Sequence, residues 1–137
     1  MKRAISAALA VAAGAAALTG GVAGSAYAAG PSGAEACPDG TICLYYNSPN
    51  LGWGSFEHFT VGANSNLGNY SFRDWGNGSG YGQTVYKNAA SVVNNTGIEW
   101  EICYSVNVDP QCVPIPAQYS GVLPPAVYNK DVAFYPN

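Results

Sequence analysis

Alternating apolar and polar positions are the clearest pattern in this chain. Ile42, Leu44 and Tyr46 alternate with Cys43, Tyr45 and Asn47, which predicts a half-buried β-strand over residues 41–47. Further strands are predicted at 56–61, 83–86, 90–94 and 98–104, and residues 64–82, crowded with Gly and Asn, are predicted to form a long loop whose aromatic residues plug its underside. Helical periodicity is missing from residue 37 onward, so we expect an all-β fold, an antiparallel sandwich or barrel.

The N-terminus departs from this pattern. Lys2 and Arg3 precede an apolar run over residues 4–18, and Ala26-Tyr27-Ala28 has the small residues of a cleavage site. These features predict a signal peptide at 1–28; a transmembrane anchor, the alternative, is disfavoured because Gly and Thr interrupt the run. We expect a flexible leader at 29–36, one domain at 37–137, and a secreted, extracellular, monomeric product.

Charge narrows the choice of partners. Removal of Lys2 and Arg3 with the signal leaves three of the five basic residues beside all eight acidic ones. Such an acidic domain is poorly suited to bind nucleic acid or an anionic membrane, and we expect neither as a partner.

The four cysteines predict disulfides, because an exported chain with an even number usually pairs them. Zinc ligation is the weaker alternative, since the spacings are C-x5-C and C-x8-C. Of the three possible connectivities we favour Cys37 with Cys43 and Cys103 with Cys112, because the turn sequence at 38–40 can bring its flanks together.

Candidate catalytic residues are few, and we expect no enzyme. His58 is the single histidine, and alternation places it opposite Glu57 without a cysteine or aspartate beside it, as in a structural histidine. Glu99 and Glu101 share one strand face at a spacing that resembles a glycosidase pair, but the solvent face of a strand explains them better.

No cofactor is expected, although one short segment resembles a weak metal site. Asn88 and Ser91 could offer neutral oxygen ligands to calcium, but the segment lacks the carboxylate that calcium sites usually contain.

The two halves of the chain share a weak internal sequence similarity. Residues 42–45 and 102–104 each read apolar, Cys, then apolar or aromatic, 60 positions apart. Two Greek-key units would produce this similarity, and chance similarity in a tyrosine-rich chain is the alternative.

Three segments together resemble a known family. The stretch from Cys37 to Tyr45, the stretch from Asn88 to Gly97 and the Cys103 to Cys112 loop are similar to the Streptomyces metalloproteinase inhibitor family. That resemblance implies a secreted peptidase inhibitor with a βγ-crystallin-like sandwich of two Greek-key units. It also implies the same two local disulfides and a secreted, thermolysin-like metalloprotease as the partner.

The resemblance further implies a reactive bond. The family pattern carries over to Cys103-Tyr104, where Cys103 would present its carbonyl to the protease zinc and Tyr104 would fill the adjoining apolar pocket. The loop after Tyr104 is longer here than in the family pattern, and the crystallin calcium motif is incomplete at Asn88 and again at 129–132. The competing function is a non-inhibitory extracellular module that binds a glycan, calcium or a protein through residues 53–81.

Overall fold

The computed structural model describes residues 35–137, so the predicted signal peptide and most of the leader lie outside the described residues. Seven strands follow one another along this part of the chain: β1 Ile42–Tyr45, β2 Phe56–Phe59, β3 Ser91–Asn94, β4 Trp100–Ser105, β5 Gln111–Ile115, β6 Ser120–Val122 and β7 Ala133–Pro136. Two short 3-10 helices occupy Pro49–Leu51 and Leu67–Asn69. Neither approaches the length needed to span a membrane.

The strands form two antiparallel sheets, which confirms the all-β prediction. Sheet A has the order β2-β1-β3-β6 and sheet B the order β5-β4-β7. The strand β6 comes from the C-terminal half yet pairs with β3 in sheet A. Conversely, Asn66 of the N-terminal half pairs with Ala133 of β7 in sheet B. Each half therefore contributes backbone to the other half's sheet.

The main core contains residues of both sheets. Ile42, Leu44 and Phe59 of sheet A cluster with Trp100 and Phe134 of sheet B, all almost fully buried. The Phe134 ring centroid lies 4.5 Å from Phe59 and 5.6 Å from Trp100, so aromatic contacts join the two sheets.

The outer face of sheet A is also buried, and the prediction of a half-buried β1 is therefore wrong. Tyr45 packs against Trp53 at 5.0 Å and against Phe56 at 4.7 Å between ring centroids, beside the disulfide of Cys37 and Cys43. Alternation identified the two faces correctly, but it could not show that a loop returns to cover the second one.

The strand predicted at 83–86 is absent. Thr84 makes only an isolated bridge to Ser71, and the chain then turns at Lys87, which has a φ of 61°. Val85 belongs to the core and Phe72 lies in it beneath the long loop. The apolar pattern at 83–86 thus reflects burial within a turn.

A buried polar network holds the turn between the two halves. The Asn94 side-chain amide donates to the carbonyls of Ile98, Ile115 and Pro116, and its Oδ1 accepts from the Thr96 hydroxyl at 2.6 Å. A single buried side chain thereby connects β3, the turn and the end of β5.

Candidate inhibitory hairpin

The β4–β5 hairpin is the part of the molecule that carries the predicted reactive bond. A disulfide joins Cys103 to Cys112, which lie directly opposite each other on the two strands, and the other predicted disulfide, Cys37 to Cys43, is also present. Cys103 is fully buried because β4 is the central strand of sheet B. The base of the hairpin is therefore fixed by backbone pairing on both sides and by a covalent link.

Tyr104 occupies a β-bulge at the start of the hairpin tip. The register shifts between Cys103, which opposes Cys112, and Ser105, which opposes Gln111, so Tyr104 has no partner on β5. The alternation of Trp100 and Ile102 would direct Tyr104 towards the core, but the side chain is 39% exposed. The bulge, which the alternating pattern did not reveal, accounts for this outward position.

Beyond Tyr104 the tip is exposed over residues 106–110. Val108 is fully exposed and Val106 about half exposed, which is unusual for valine in a small protein. The Gln111 amide donates to the Asp109 carbonyl and carboxylate at 3.2 and 3.1 Å, so hydrogen bonds within the tip hold part of it. The tip therefore combines exposed apolar side chains with a constrained backbone.

The carbonyl of Cys103 is not free. It accepts a hydrogen bond of 2.8 Å from the backbone N–H of Val132, just before β7. The predicted bond thus has one exposed side, at Tyr104, and one side that is held inside sheet B.

A cleft of about 470 Å³, which the sequence did not indicate, adjoins the hairpin tip. Its lining includes Tyr86, Lys87, Tyr104, Val106 and Tyr135. The Lys87 ammonium lies 5.3 Å from the Tyr86 ring centroid, within cation–π range. Partly exposed tyrosines in a concave surface are typical of protein interfaces.

The calcium candidates make separate hydrogen bonds. The Asn88 amide donates to the Thr84 carbonyl at 2.8 Å, while the buried Ser91 hydroxyl donates to the Asn47 carbonyl at 2.6 Å. Calcium binding by this pair stays a prediction.

Glu99 and Glu101, which the sequence pattern assigned to the solvent face of a strand, lie at the start of β4, away from the hairpin tip. Glu101 is half-buried, and the exposed Glu99 accepts a hydrogen bond of 2.8 Å from the Asn137 side chain. Neither belongs to the cleft beside the hairpin.

Most aromatic side chains in residues 53–81, through which the competing binding module would contact its ligand, are packed within the protein. Trp53 and Phe72 are buried and Trp75 is half-buried, while Tyr81 is exposed. These residues therefore offer a ligand little aromatic surface.

His58 has an acidic neighbour, contrary to the prediction. Its Nδ1 lies 2.6 Å from Oδ2 of Asp74, which belongs to the long loop. The strand β2 is the edge of sheet A, and the loop returns alongside it through an isolated bridge between Phe56 and Asp74. Sequence reasoning missed the contact because the two residues are 16 positions apart with no regular element between them.

A constrained, exposed hairpin on a small disulfide-bonded β scaffold is the general design of a proteinaceous peptidase inhibitor. Comparison with family models agrees. Residues 30–113 match the peptidase inhibitor family I36, so the chain belongs to this family, and the predicted resemblance is confirmed. The matched range includes both disulfides and the hairpin tip. No curated protein and no solved structure matches the chain. Family membership supports a protease inhibitor role, with a protease as the partner.

Proposed function

We propose that this protein is a secreted, non-catalytic inhibitor of thermolysin-like metalloproteases, and that the β4–β5 hairpin tip enters the zinc cleft of the protease. The observation that carries the proposal is the exposed tip, formed by Tyr104 and residues 106–110, above a disulfide-clamped base. Proteases bind extended chains through main-chain hydrogen bonds, which a strand end can supply.

The clamp explains how such a tip would bind tightly. A flexible loop loses conformational entropy when it binds, roughly 0.5–1.5 kcal/mol for each immobilised side chain and more for the backbone. Here Cys103 and Cys112 hold both ends before binding, and β7 pairs with β4 on the other side. Much of the ordering has therefore occurred during folding.

The reactive bond is proposed at Cys103-Tyr104, as the family pattern implies. Tyr104 is well placed for it, since the bulge turns the side chain outward. The Cys103 carbonyl must exchange its hydrogen bond with Val132 N–H for the protease zinc. Opening one end of the β4–β7 pairing is the conformational change that this position requires.

The cleft beside the tip would supply a second contact area. Tyr86 and Tyr135 line it together with Tyr104, and their rings would pack against the rim of the protease cleft. This arrangement would give a broader interface than a tip alone, which favours a stable complex.

The remaining predictions fit the same picture. We propose export through the signal at 1–28, because both disulfides need an oxidising compartment. We also propose that the halves are crystallin-type Greek keys, supported by the exchange of β6 and Asn66 between sheets. Reciprocal hydrogen bonds add support: Lys87 N–H donates to the Asp131 carbonyl, and Asn129 N–H donates to the Ala89 carbonyl.

The hairpin assignment is tested by comparing Tyr104→Gly with Tyr81→Gly, since both tyrosines are exposed and only the first lies on the hairpin. We expect Tyr104→Gly to weaken inhibition of a thermolysin-like protease by at least about tenfold, the scale of one interface anchor. Tyr81→Gly should inhibit like the wild type. Equal inhibition by both variants, with unchanged circular dichroism, would remove the hairpin from the proposal.

The position of the reactive bond is tested separately. Prolonged incubation with the protease followed by intact-mass analysis would locate slow cleavage. We expect the first cut between Cys103 and Tyr104, with the two products held together by the disulfide until reduction. A first cut elsewhere in the tip would move the reactive bond and leave the hairpin assignment intact.

A further inference from the structure

Three side chains that can bind a metal converge at the edge of sheet A. Glu57 and His58 belong to the edge strand β2, and Asp74 lies in the loop that runs alongside it. One ligand atom from each of the three lies within 4.8 Å of the other two. Glu57 and His58 are consecutive in the strand, so convergence requires the Glu57 side chain to reach around the sheet edge.

Backbone hydrogen bonds hold the third member in place. The Asp74 N–H donates to the Phe56 carbonyl at 2.8 Å, and the Phe56 N–H donates to the Asp74 carbonyl at 3.2 Å. The loop residue is thus paired like a strand residue, opposite Phe56 and two positions along β2 from His58. All three side chains project from ordered backbone, as a preorganised site requires.

The donor set favours a borderline transition metal. One imidazole nitrogen and two carboxylate oxygens suit zinc, whereas calcium and magnesium prefer oxygen ligands alone. Ligands on a tetrahedral zinc with bonds of about 2.0–2.2 Å lie roughly 3.4 Å apart. The three ligand atoms now lie within 4.8 Å of one another, and His58 Nδ1 and Asp74 Oδ2, now 2.6 Å apart, would have to separate to reach that spacing.

A simple ion pair accounts for only two of the three groups. His58 and Asp74 are already paired, yet the half-buried Glu57 carboxylate lies beside them. A divalent cation could contact both carboxylates at once, whereas the His58 ring is paired with only one of them.

We propose that Glu57, His58 and Asp74 form a zinc-binding site, with water completing the coordination. Bound zinc would connect the long loop to β2 and thereby stabilise the cover over the outer face of sheet A. The site is on a different sheet from the hairpin and does not depend on the inhibitory function. No thiolate or second imidazole competes for the ion, because all four cysteines are in disulfides and His58 is the single histidine of the chain.

The single histidine allows a direct test. Zinc chloride alone is titrated at pH 7.5 into untagged, oxidised protein that begins at residue 29. Calorimetry measures the binding, and NMR of the imidazole signals shows whether His58 takes part. We expect one saturable equivalent, a shift of the one set of imidazole signals at the same stoichiometry, and a higher melting temperature.

Variants separate the proposed ligands from other acidic groups. His58→Ala should lose saturable binding, and Asp74→Asn should weaken it by at least about tenfold, since even outer-sphere changes often cost that much. Glu99→Gln, the matched control on another sheet, should bind like the wild type. The proposal is overturned if the wild-type imidazole signals do not move with excess zinc, or if a folded His58→Ala variant binds equally well. Either result leaves the inhibition assays unaffected.

Discussion

Asp131 provides the sharpest prediction about stability. Its carboxyl is fully buried where the two halves meet; Oδ1 accepts a hydrogen bond of 3.1 Å from Ala89 N–H, and Oδ2 has no partner among the described residues. Lys87 and Lys130 are exposed, and no ion pair joins the carboxyl to a cation among residues 35–137. Burial raises the pKa of Asp131 from its ordinary 3.8 to about 8, although backbone hydrogen bonds act in the opposite direction.

The sign of the pH dependence follows from linkage. Below pH 3.8 the carboxyl is protonated in both states, so its contribution to stability is fully present there. As the pH rises, the unfolded chain releases its proton first, and stability falls by up to about 1.4 kcal/mol per pH unit. The fall ends above about pH 8, after a loss of at most about 6 kcal/mol. That loss is a large share of a typical free energy of unfolding, about 5–15 kcal/mol.

The substitution Asp131→Asn removes this dependence. The amide oxygen can still accept from Ala89, and the side chain stays neutral at every pH. We expect the variant to match the wild type near pH 4 and to exceed its stability by several kcal/mol at pH 9. Urea unfolding followed by tryptophan fluorescence at pH 4, 6, 7.5 and 9 measures the difference.

Asp109→Asn is the control, because Asp109 is exposed on the hairpin tip. Its stability profile should follow the wild type throughout. Measurements stop at pH 9 because burial also raises the pKa of Tyr45, whose ionisation would contribute at higher pH. If Asp131→Asn and the wild type have parallel profiles from pH 4 to 9, the buried carboxyl does not control stability and the reasoning is refuted.

Three further predictions concern packing, the polar network and the clamp. Gly80 and Gly82 have similar φ angles of 84° and 86°, but a Cβ on Gly80 would collide with the Tyr46 ring while one on Gly82 meets open space. In urea unfolding, Gly80→Ala should therefore lose about 1–3 kcal/mol more of the free energy of unfolding than Gly82→Ala. Equal losses in the two variants would contradict the contact with Tyr46. Asn94→Leu removes the side-chain donor that the Ile98, Ile115 and Pro116 carbonyls share, although the Thr96 hydroxyl still reaches Ile98 and the Tyr119 N–H still reaches Pro116. We expect a loss of about 1–3 kcal/mol in the same assay, and a loss below about 1 kcal/mol would contradict the role of the network. Replacing both hairpin cysteines by serine should reduce stability by about 2–3 kcal/mol and weaken inhibition even where the variant is fully folded; unchanged inhibition would show that the clamp is not needed.

The strands that sequence patterns revealed lie in runs that contain no proline or glycine. The patterns at 41–47, 56–61, 90–94 and 98–104 correspond to β1 to β4. The later strands escaped prediction because proline or glycine interrupts them: Pro114 in β5, Gly121 in β6 and Pro136 in β7. Such residues usually mark turns, and edge strands tolerate them because one side of the backbone needs no partner.

The candidate site was only partly predictable for a different reason. Disulfide pairing followed from local spacing and turn chemistry, and the family pattern pointed to Cys103-Tyr104. The outward turn of Tyr104 depends on a register shift between two strands, which the sequence of one strand does not encode. The cleft and the His58–Asp74 contact arise where distant segments meet, so only the folded chain reveals them.

The most direct test of the central claim is a titration of two proteases with the mature, oxidised protein. A thermolysin-like metalloprotease and a serine protease, each at known active-site concentration, are assayed with increasing amounts of the protein. The account predicts that metalloprotease activity falls with a one-to-one end point while serine protease activity stays constant. Full metalloprotease activity at a large molar excess of the protein, or equal inhibition of both enzymes, would contradict it.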